Sequence, residues 1–349
     1  RLYRCLNQII VRDYRKTITE QCFTHAANGI SLILYDVTSL YFEIQKEDDY
    51  RKSGMSKERR LEPQIIVGLL VDQYGFPLGL HSFEGNTAEV NTILPVIEAF
   101  KKQHGLSDIT VVADAAMLSH KNLEALTTAG YTYIVGSRLQ KIPYDISEYQ
   151  KTKDLTDRQI ITTQLTQGQH IIYQYREKRA ALDLRNIEKQ ITKAERIING
   201  KLVDKRAKFL SIKTKERMLN QNLIDKAKSL AGIKGYVTNL AIPDEQVIVS
   251  YHQLWHVEQS FRMSKSDLKA RPIFHHKRDS IEAHLTVVLA ALAIGKLIEN
   301  STGMSIKRFI RTLRSVRSGT VTINGKEYQA EAELSTEVKS LMHKLQPGH

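Results

Sequence analysis

The chain has 349 residues, more than one core commonly holds, so two or more lobes are expected. Its 42% hydrophobic content is that of a folded globular protein, and two cysteines, Cys5 and Cys22, exclude a disulfide framework and suit a reducing, cytoplasmic setting. The net charge of +13 fits either a polyanionic partner or a strongly solvated basic surface.

Residues 1–29 mix charged and apolar positions without a clear period. The chain opens at Arg1 rather than methionine, so this stretch is read as the remnant of an N-terminal region. Then comes "SLILYDVTSLYFE", a strand with Asp36 in the middle of its apolar run. Burying an unpaired carboxylate costs several kcal/mol, so Asp36 must face something that stabilises its charge. "PQIIVGLLVD" and "PLGLHSFEG" read as two further strands joined by a turn at "QYG". The stretch "AEVNTILPVIEAFKKQHG" reads as a helix stopped by Gly105. A short strand "ITVVAD", a helix through "SHKNLEALTTAG" and a strand "YTYIVGS" follow. Three antiparallel strands and then alternating helix and strand predict a mixed α/β sheet.

The pattern changes at Arg138. Residues 142–175 look like polar β-hairpins, and residues 176–230 like two charged helices broken near Asn199-Gly200. Between 138 and 234 stand 22 Lys or Arg against 11 Asp or Glu, so +11 of the +13 lies there. This reads as an inserted basic module rather than a continuation of the sheet. The α/β pattern resumes with "GYVTNL" and a long helix from about Asp244 to Leu268. An apolar helix around 279–299 and a basic helix around 305–317 precede a β-turn region and a last helix. The apolar run "LTVVLAALAIGKLI" is interrupted by Lys296 and falls short of the roughly 20 residues of a membrane span, so no membrane is expected.

Asp114 repeats the puzzle of Asp36, because it ends an apolar strand. One strand-end aspartate is more often a cap or turn residue. Two on strands able to lie side by side suggest a cation between them, and oxygen-only ligands favour Mg²⁺ or Mn²⁺ over zinc. A third acid sits in "YHQLWHVEQSFRMSK". With Tyr251 at zero on a helical wheel, Trp255, Glu258, Arg262 and Lys265 fall within about 40° of it. Leu254, Val257, Phe261 and Leu268 form an adjacent apolar face. A plain i,i+4 surface pair accounts for Glu258 and Arg262 but not for the other three residues.

These residues carry a resemblance. Tyr251, Glu258 and Lys265 match the helix spacing Y-(2)-R-(3)-E-(6)-K of the DDE transposases of the insertion sequence 4 superfamily, with Leu254 where arginine is usual. "LYDVTSLYFE", "GMSKERRLEPQIIVGLLVDQYGFPLGLHSFEGN" and "VVADAAMLSHKNLEAL" resemble the insertion sequence 1634 group within it. The likeness runs from about residue 30 to about residue 300. It implies an RNase H-like core in two parts, 30–137 and 235–300, around the inserted module at 138–234; residues 301–349 read by themselves as a basic helical tail. It implies Asp36, Asp114 and Glu258 as catalytic acids that hold two Mg²⁺ or Mn²⁺ ions. The partner is double-stranded DNA, at the element's terminal repeats and at a target, in a bacterial cytoplasm, with a homodimer in the DNA complex. Metal-dependent cleavage and transfer of a 3′-hydroxyl is the implied activity. A non-catalytic DNA-binding remnant and an RNase H-like nuclease that cuts without joining are the alternatives.

Tyr251, Trp255, Arg262 and Lys265 are then candidate DNA contacts. So are Arg271 in "RPIFHHK" and Lys57, Arg59 and Arg60 in the loop "RKSGMSKERR", whose plainer reading is a solvated basic hairpin tip. His275-His276 lacks a cysteine or spaced acid to complete a zinc set. Lys307, Arg311 and Arg314 share a face that either binds phosphate or is solvated.

Overall fold

The computed structural model describes residues 2–26, 32–43, 46–55, 62–106, 108–117, 119–165, 168–202, 207–213 and 216–345. The chain forms two compact units, Arg1–Val111 with Gln253–His349, and Val112–His252.

The first unit opens with two helices, α1 (Leu2–Val11) and α2 (Tyr14–Ala26), in the stretch that sequence left without an element. Three strands follow: β1 (Leu32–Tyr41), β2 (Gln64–Asp72) and β3 (Pro77–Glu84). They form an antiparallel meander in which Asp36 pairs with Leu69 and Leu69 with Leu80. The β2–β3 turn is built by Asp72, whose carboxylate accepts the Tyr74 and Phe76 amides, and by Gly75 at φ 83°. Helix α3 (Ile93–His104) ends where Gly105 takes the left-handed conformation at φ 63° and donates its amide to the Lys101 carbonyl. Strand β4 (Thr110–Ala113) completes the opening run.

In the second unit, α4 (His120–Thr128) starts at Ser119, whose hydroxyl accepts the Asn122 amide, and leads to β5 (Thr132–Ser137). Then come α5 (Tyr144–Gln150), β6 (Ile160–Gln164), β7 (His170–Tyr175), α6 (Glu177–Ile198), β8 (Leu210–Lys213), β9 (Glu216–Leu219), α7 (Gln221–Ser229), β10 (Ile233–Thr238) and α8 (Asp244–His252). Three expectations are corrected here. Helix α5 occupies a stretch read as hairpin, and the β8–β9 hairpin lies between the two charged helices. That hairpin is fixed by Phe209, fully buried at its base among Ile187, Ile191 and Ile224. The segment after Arg138 is also not wholly apart from the sheet, because β7 pairs antiparallel with β10 and β6 with β7.

The first unit resumes with α9 (Trp255–Ser266), α10 (Arg278–Thr302), α11 (Ile306–Leu313), the exposed hairpin β11 (Gly319–Ile323) and β12 (Lys326–Ala330), and α12 (Thr336–Lys344). Sheet order is β3-β2-β1-β4-β5-β10-β7-β6, and the fold is α/β with the RNase H-like succession of a three-strand meander and then strand, helix, strand. Helix α10 is long and apolar enough to cross a membrane by length and composition. Over half of its most apolar window is nonetheless buried inside the fold, with Ile281, Leu285, Leu289 and Leu292 within 1% of full burial.

Candidate active site

Asp36 sits midway along β1 between Tyr35 and Val37, which are buried, while its own side chain is only partly so. Tyr35 and Val37 point to one face of the strand and Asp36 to the other, where Leu34 is buried but Asp36 opens onto a cavity. Asp36, Val37 and Thr38 form one wall of a cavity of about 570 Å³, and Glu258, Arg262 and Lys265 of α9 form another. Helix α9 is held by its opposite side. Val257 and Ser260 are fully buried, and the Ser260 hydroxyl donates to the Gly75 carbonyl at 3.2 Å. Within α9, Glu258, Arg262 and Lys265 follow at i, i+4 and i+7 and share a face, as the wheel predicts. The Lys265 ammonium donates to Thr38 Oγ1 at 2.6 Å, which ties helix to strand at the cavity edge. Arg271 also lines the cavity, and its guanidinium lies 5.3 Å from the centre of the Tyr41 ring. One cavity therefore carries two carboxylates and three cations.

Asp114 belongs to the second unit, exposed just beyond β4. Its Oδ1 accepts the Ala115 amide at 2.7 Å and the Tyr251 hydroxyl at 2.9 Å. Tyr251 is 5% exposed, edge-on to Tyr236 at 4.9 Å, with the Lys234 ammonium 4.3 Å from its ring centre. Gly136 makes room for it, since a Cβ there would stand 2.5 Å from the Tyr251 hydroxyl oxygen. Asp114 and Tyr251 line a cavity of about 840 Å³ with Arg179, Asn186, Gln190 and Lys208.

The single long helix expected over 244–268 is corrected. It is two helices, α8 and α9, separated by a turn at Gln253-Leu254. There the His256 and Val257 amides reach the Gln253 and Leu254 carbonyls, tight i→i+3 bonds that break the 3.6-residue phase. Tyr251 therefore does not extend the Glu258 stripe; it is a buried residue whose hydroxyl is engaged by Asp114. Trp255 faces outward at 49% exposure, its ring 4.0 Å from that of His256. Arg262 is exposed as well. Lys57, Arg59 and Arg60 lie outside the described residues.

Among the described residues, no three His, Cys, Asp or Glu side chains are grouped as a metal-holding set. Asp36 and Glu258 still give one cavity an all-oxygen carboxylate pair, the donor chemistry that suits Mg²⁺ or Mn²⁺ rather than zinc.

One polar cluster went unread in the sequence. Glu282 of α10 pairs with Arg15 of α2 at 2.7 Å and accepts the Tyr50 hydroxyl at 2.7 Å and the Ser82 hydroxyl at 2.5 Å. Burial pushes its carboxyl up, but Arg15, Ser82 and Tyr50 outweigh this and hold it below the usual range. Beside it, burial and then Arg15 push His81 down to about 4, with Glu282 opposing. An acid inside the apolar helix "IEAHLTVVLAAL" was the available signal.

The transposase DDE domain family matches residues 27–294. No curated protein sequence matches the chain. Among solved structures, the piggyBac transposase synaptic complex with hairpin DNA aligns at a TM-score of 0.47 and 11% identity, covering 91% of this chain. The Mos1 transposase paired-end complex with the left transposon end aligns at a TM-score of 0.22 and 10% identity, covering 34% of this chain and 40% of that one. The chain spans 55% of the piggyBac transposase chain that it matches.

Proposed function

The chain belongs to the transposase DDE domain family, whose enzymes act on DNA with divalent metal ions, and we propose that it is a DNA transposase of the insertion sequence 4 superfamily, akin to the insertion sequence 1634 group. In this reading it cleaves DNA at the ends of its element and transfers the 3′-hydroxyl into a target duplex. The observation that carries the reading is the cavity shared by Asp36, Glu258, Arg262 and Lys265: carboxylates to hold metal stand beside cations to hold phosphate.

In this reading Asp36, Asp114 and Glu258 are the three acids, and Asp36 and Glu258, which share the cavity, would hold Mg²⁺ or Mn²⁺ there. Bound there, the ions would supply Lewis-acid polarisation of the scissile phosphoryl group and a lowered pKa for the attacking water or 3′-hydroxyl. Lys265, fixed by Thr38, presents a point charge to a phosphate oxygen, and Arg262 and Arg271 add to it. Trp255, half exposed, offers a ring on which a base unpaired near the cut can stack. Tyr251 acts through Asp114 rather than on DNA directly. Lys57, Arg59 and Arg60 add phosphate contacts, and the working complex on DNA is a homodimer.

The test is a cleavage and strand-transfer assay on duplexes carrying the element's ends, with and without Mg²⁺. Metal-dependent cleavage followed by joining is the expected result. Cleavage without joining would make the protein a nuclease, and binding with neither would make it a DNA-binding remnant.

A further inference from the structure

Beyond residue 294, where the family match ends, α11 and the residues at the end of α9 together line a cavity of about 710 Å³. Lys307, Arg311 and Arg314 follow one another at i, i+4 and i+7 along α11, so they share a face, and Lys269 joins them from beyond α9. All four are exposed, and among the described residues none of them makes an ion pair. Arg308 also lines the cavity, but Glu337 meets it at 3.5 Å, and Asp267 is the cavity's lone acid.

Helix stability explains only part of this cluster. Arg311 and Arg314 stand at the end of α11, where the helix dipole favours a cation, but Lys307 stands in the first turn, where it disfavours one, and the four like charges repel one another. Such an arrangement calls for an anion. Ser266 lines both this cavity and the one that holds Asp36 and Glu258, so the cationic surface runs from Arg262 and Lys265 to α11 within one unit.

We propose that this cavity is a docking site for the phosphate backbone of duplex DNA leading away from the Asp36–Glu258 cavity. The inference rests on the DNA reading above. Lys307 to Arg314 spans about 10 Å of helix, the axial length of about three phosphates on one strand. No aromatic ring lines the cavity, so it lacks the stacking platform of a single-strand site. A membrane surface fits poorly, because Ile306 and Phe309 of α11 are buried in the fold and Ile310 alone among the cavity's apolar residues on this helix is exposed, too little apolar surface to enter a bilayer.

The experiment compares the parent chain with a triple variant, Lys307→Ala, Arg311→Ala and Arg314→Ala, for binding of a fluorescent duplex across a salt series without divalent metal. All three side chains are exposed, so the melting temperature should hold. The expected result is weaker binding and a plot of log affinity against log salt that is shallower by roughly two to three units. Equal affinity and slope in the two proteins overturns the inference while the DNA reading stands. If neither protein binds duplex, the DNA reading fails and takes the inference with it. Loss of binding to phosphatidylserine vesicles with duplex affinity unchanged would assign the cavity to lipid and overturn it too.

Discussion

The Tyr251 hydroxyl donates a hydrogen bond to Asp114 Oδ1 at 2.9 Å, and both residues lie in the same compact unit. A carboxylate that takes a fixed hydrogen bond on one oxygen keeps the other oriented for a cation. Tyr251→Phe keeps the ring packed against Tyr236 and removes only that bond, worth about 1.5–3 kcal/mol when one partner is charged. The Mg²⁺ concentration needed for half-maximal cleavage should rise while affinity for duplex stays constant. An unchanged metal requirement would mean that the contact is only structural.

Gly136 tests the same contact from the other side. A Cβ at this position would meet the Tyr251 hydroxyl oxygen at 2.5 Å and the Ala115 amide nitrogen at 3.2 Å. Gly136→Ala should therefore cost about 1–3 kcal/mol of stability through overpacking. Adding Tyr251→Phe removes the closest clashing atom and should recover part of the loss in a double-mutant cycle of denaturant melts. Strictly additive losses would show that the two positions do not press on each other.

Acid sensitivity should arise largely around Glu282. His81 carries a folded-state pKa of about 4 against an ordinary 6.5. The unfolded chain then takes up a proton first, so stability is full above pH 6.5 and is lost as pH falls toward 4, by up to about 3 kcal/mol. Glu282 has a depressed folded-state pKa, so its contribution is present above the ordinary carboxylate range and is lost at lower pH, as the acid itself protonates. Denaturant melts between pH 7 and pH 4 should show the first loss, and His81→Asn should flatten it. A wild-type profile flat between pH 6.5 and pH 4 would contradict the assignment.

Trp255 is the chain's one tryptophan, and its 49% exposure makes it a poor anchor for the core. Trp255→Ala should leave the melting temperature within about 2–4 °C of wild type and impair cleavage, with partial rescue by an end duplex already unpaired at the cut. Intrinsic fluorescence should be quenched when end DNA binds. A large drop in melting temperature without rescue would show that the ring is a packing residue.

What sequence revealed followed from local signals. Asp36 stood out as a carboxylate inside the apolar run of β1, and Gly105 marked the end of α3 because a left-handed C-terminal residue favours glycine. The β2–β3 turn announced itself through Gly75. The break at Gln253-Leu254 left no such mark, since neither residue is glycine or proline, and a wheel cannot register a two-residue change of phase. Tyr251 was thus placed on the Glu258 stripe, whereas its partner Asp114 lies 137 residues away in sequence. The β8–β9 hairpin was hidden for a similar reason: "FLSIKTKERML" is charged like the flanking helices, and burial of Phe209 fixes it only in three dimensions. The Glu282 cluster needed α2, β3 and α10 together, which no single window contains.

The most direct measurement is Mg²⁺-dependent cleavage of end DNA by three single variants, Asp36→Ala, Asp114→Ala and Glu258→Ala, each checked for duplex binding. If these are the catalytic acids, each variant loses cleavage by several orders of magnitude and binds duplex as the parent does. Cleavage near the parent rate in any one of them, and in Asp114→Ala above all, would contradict the assignment.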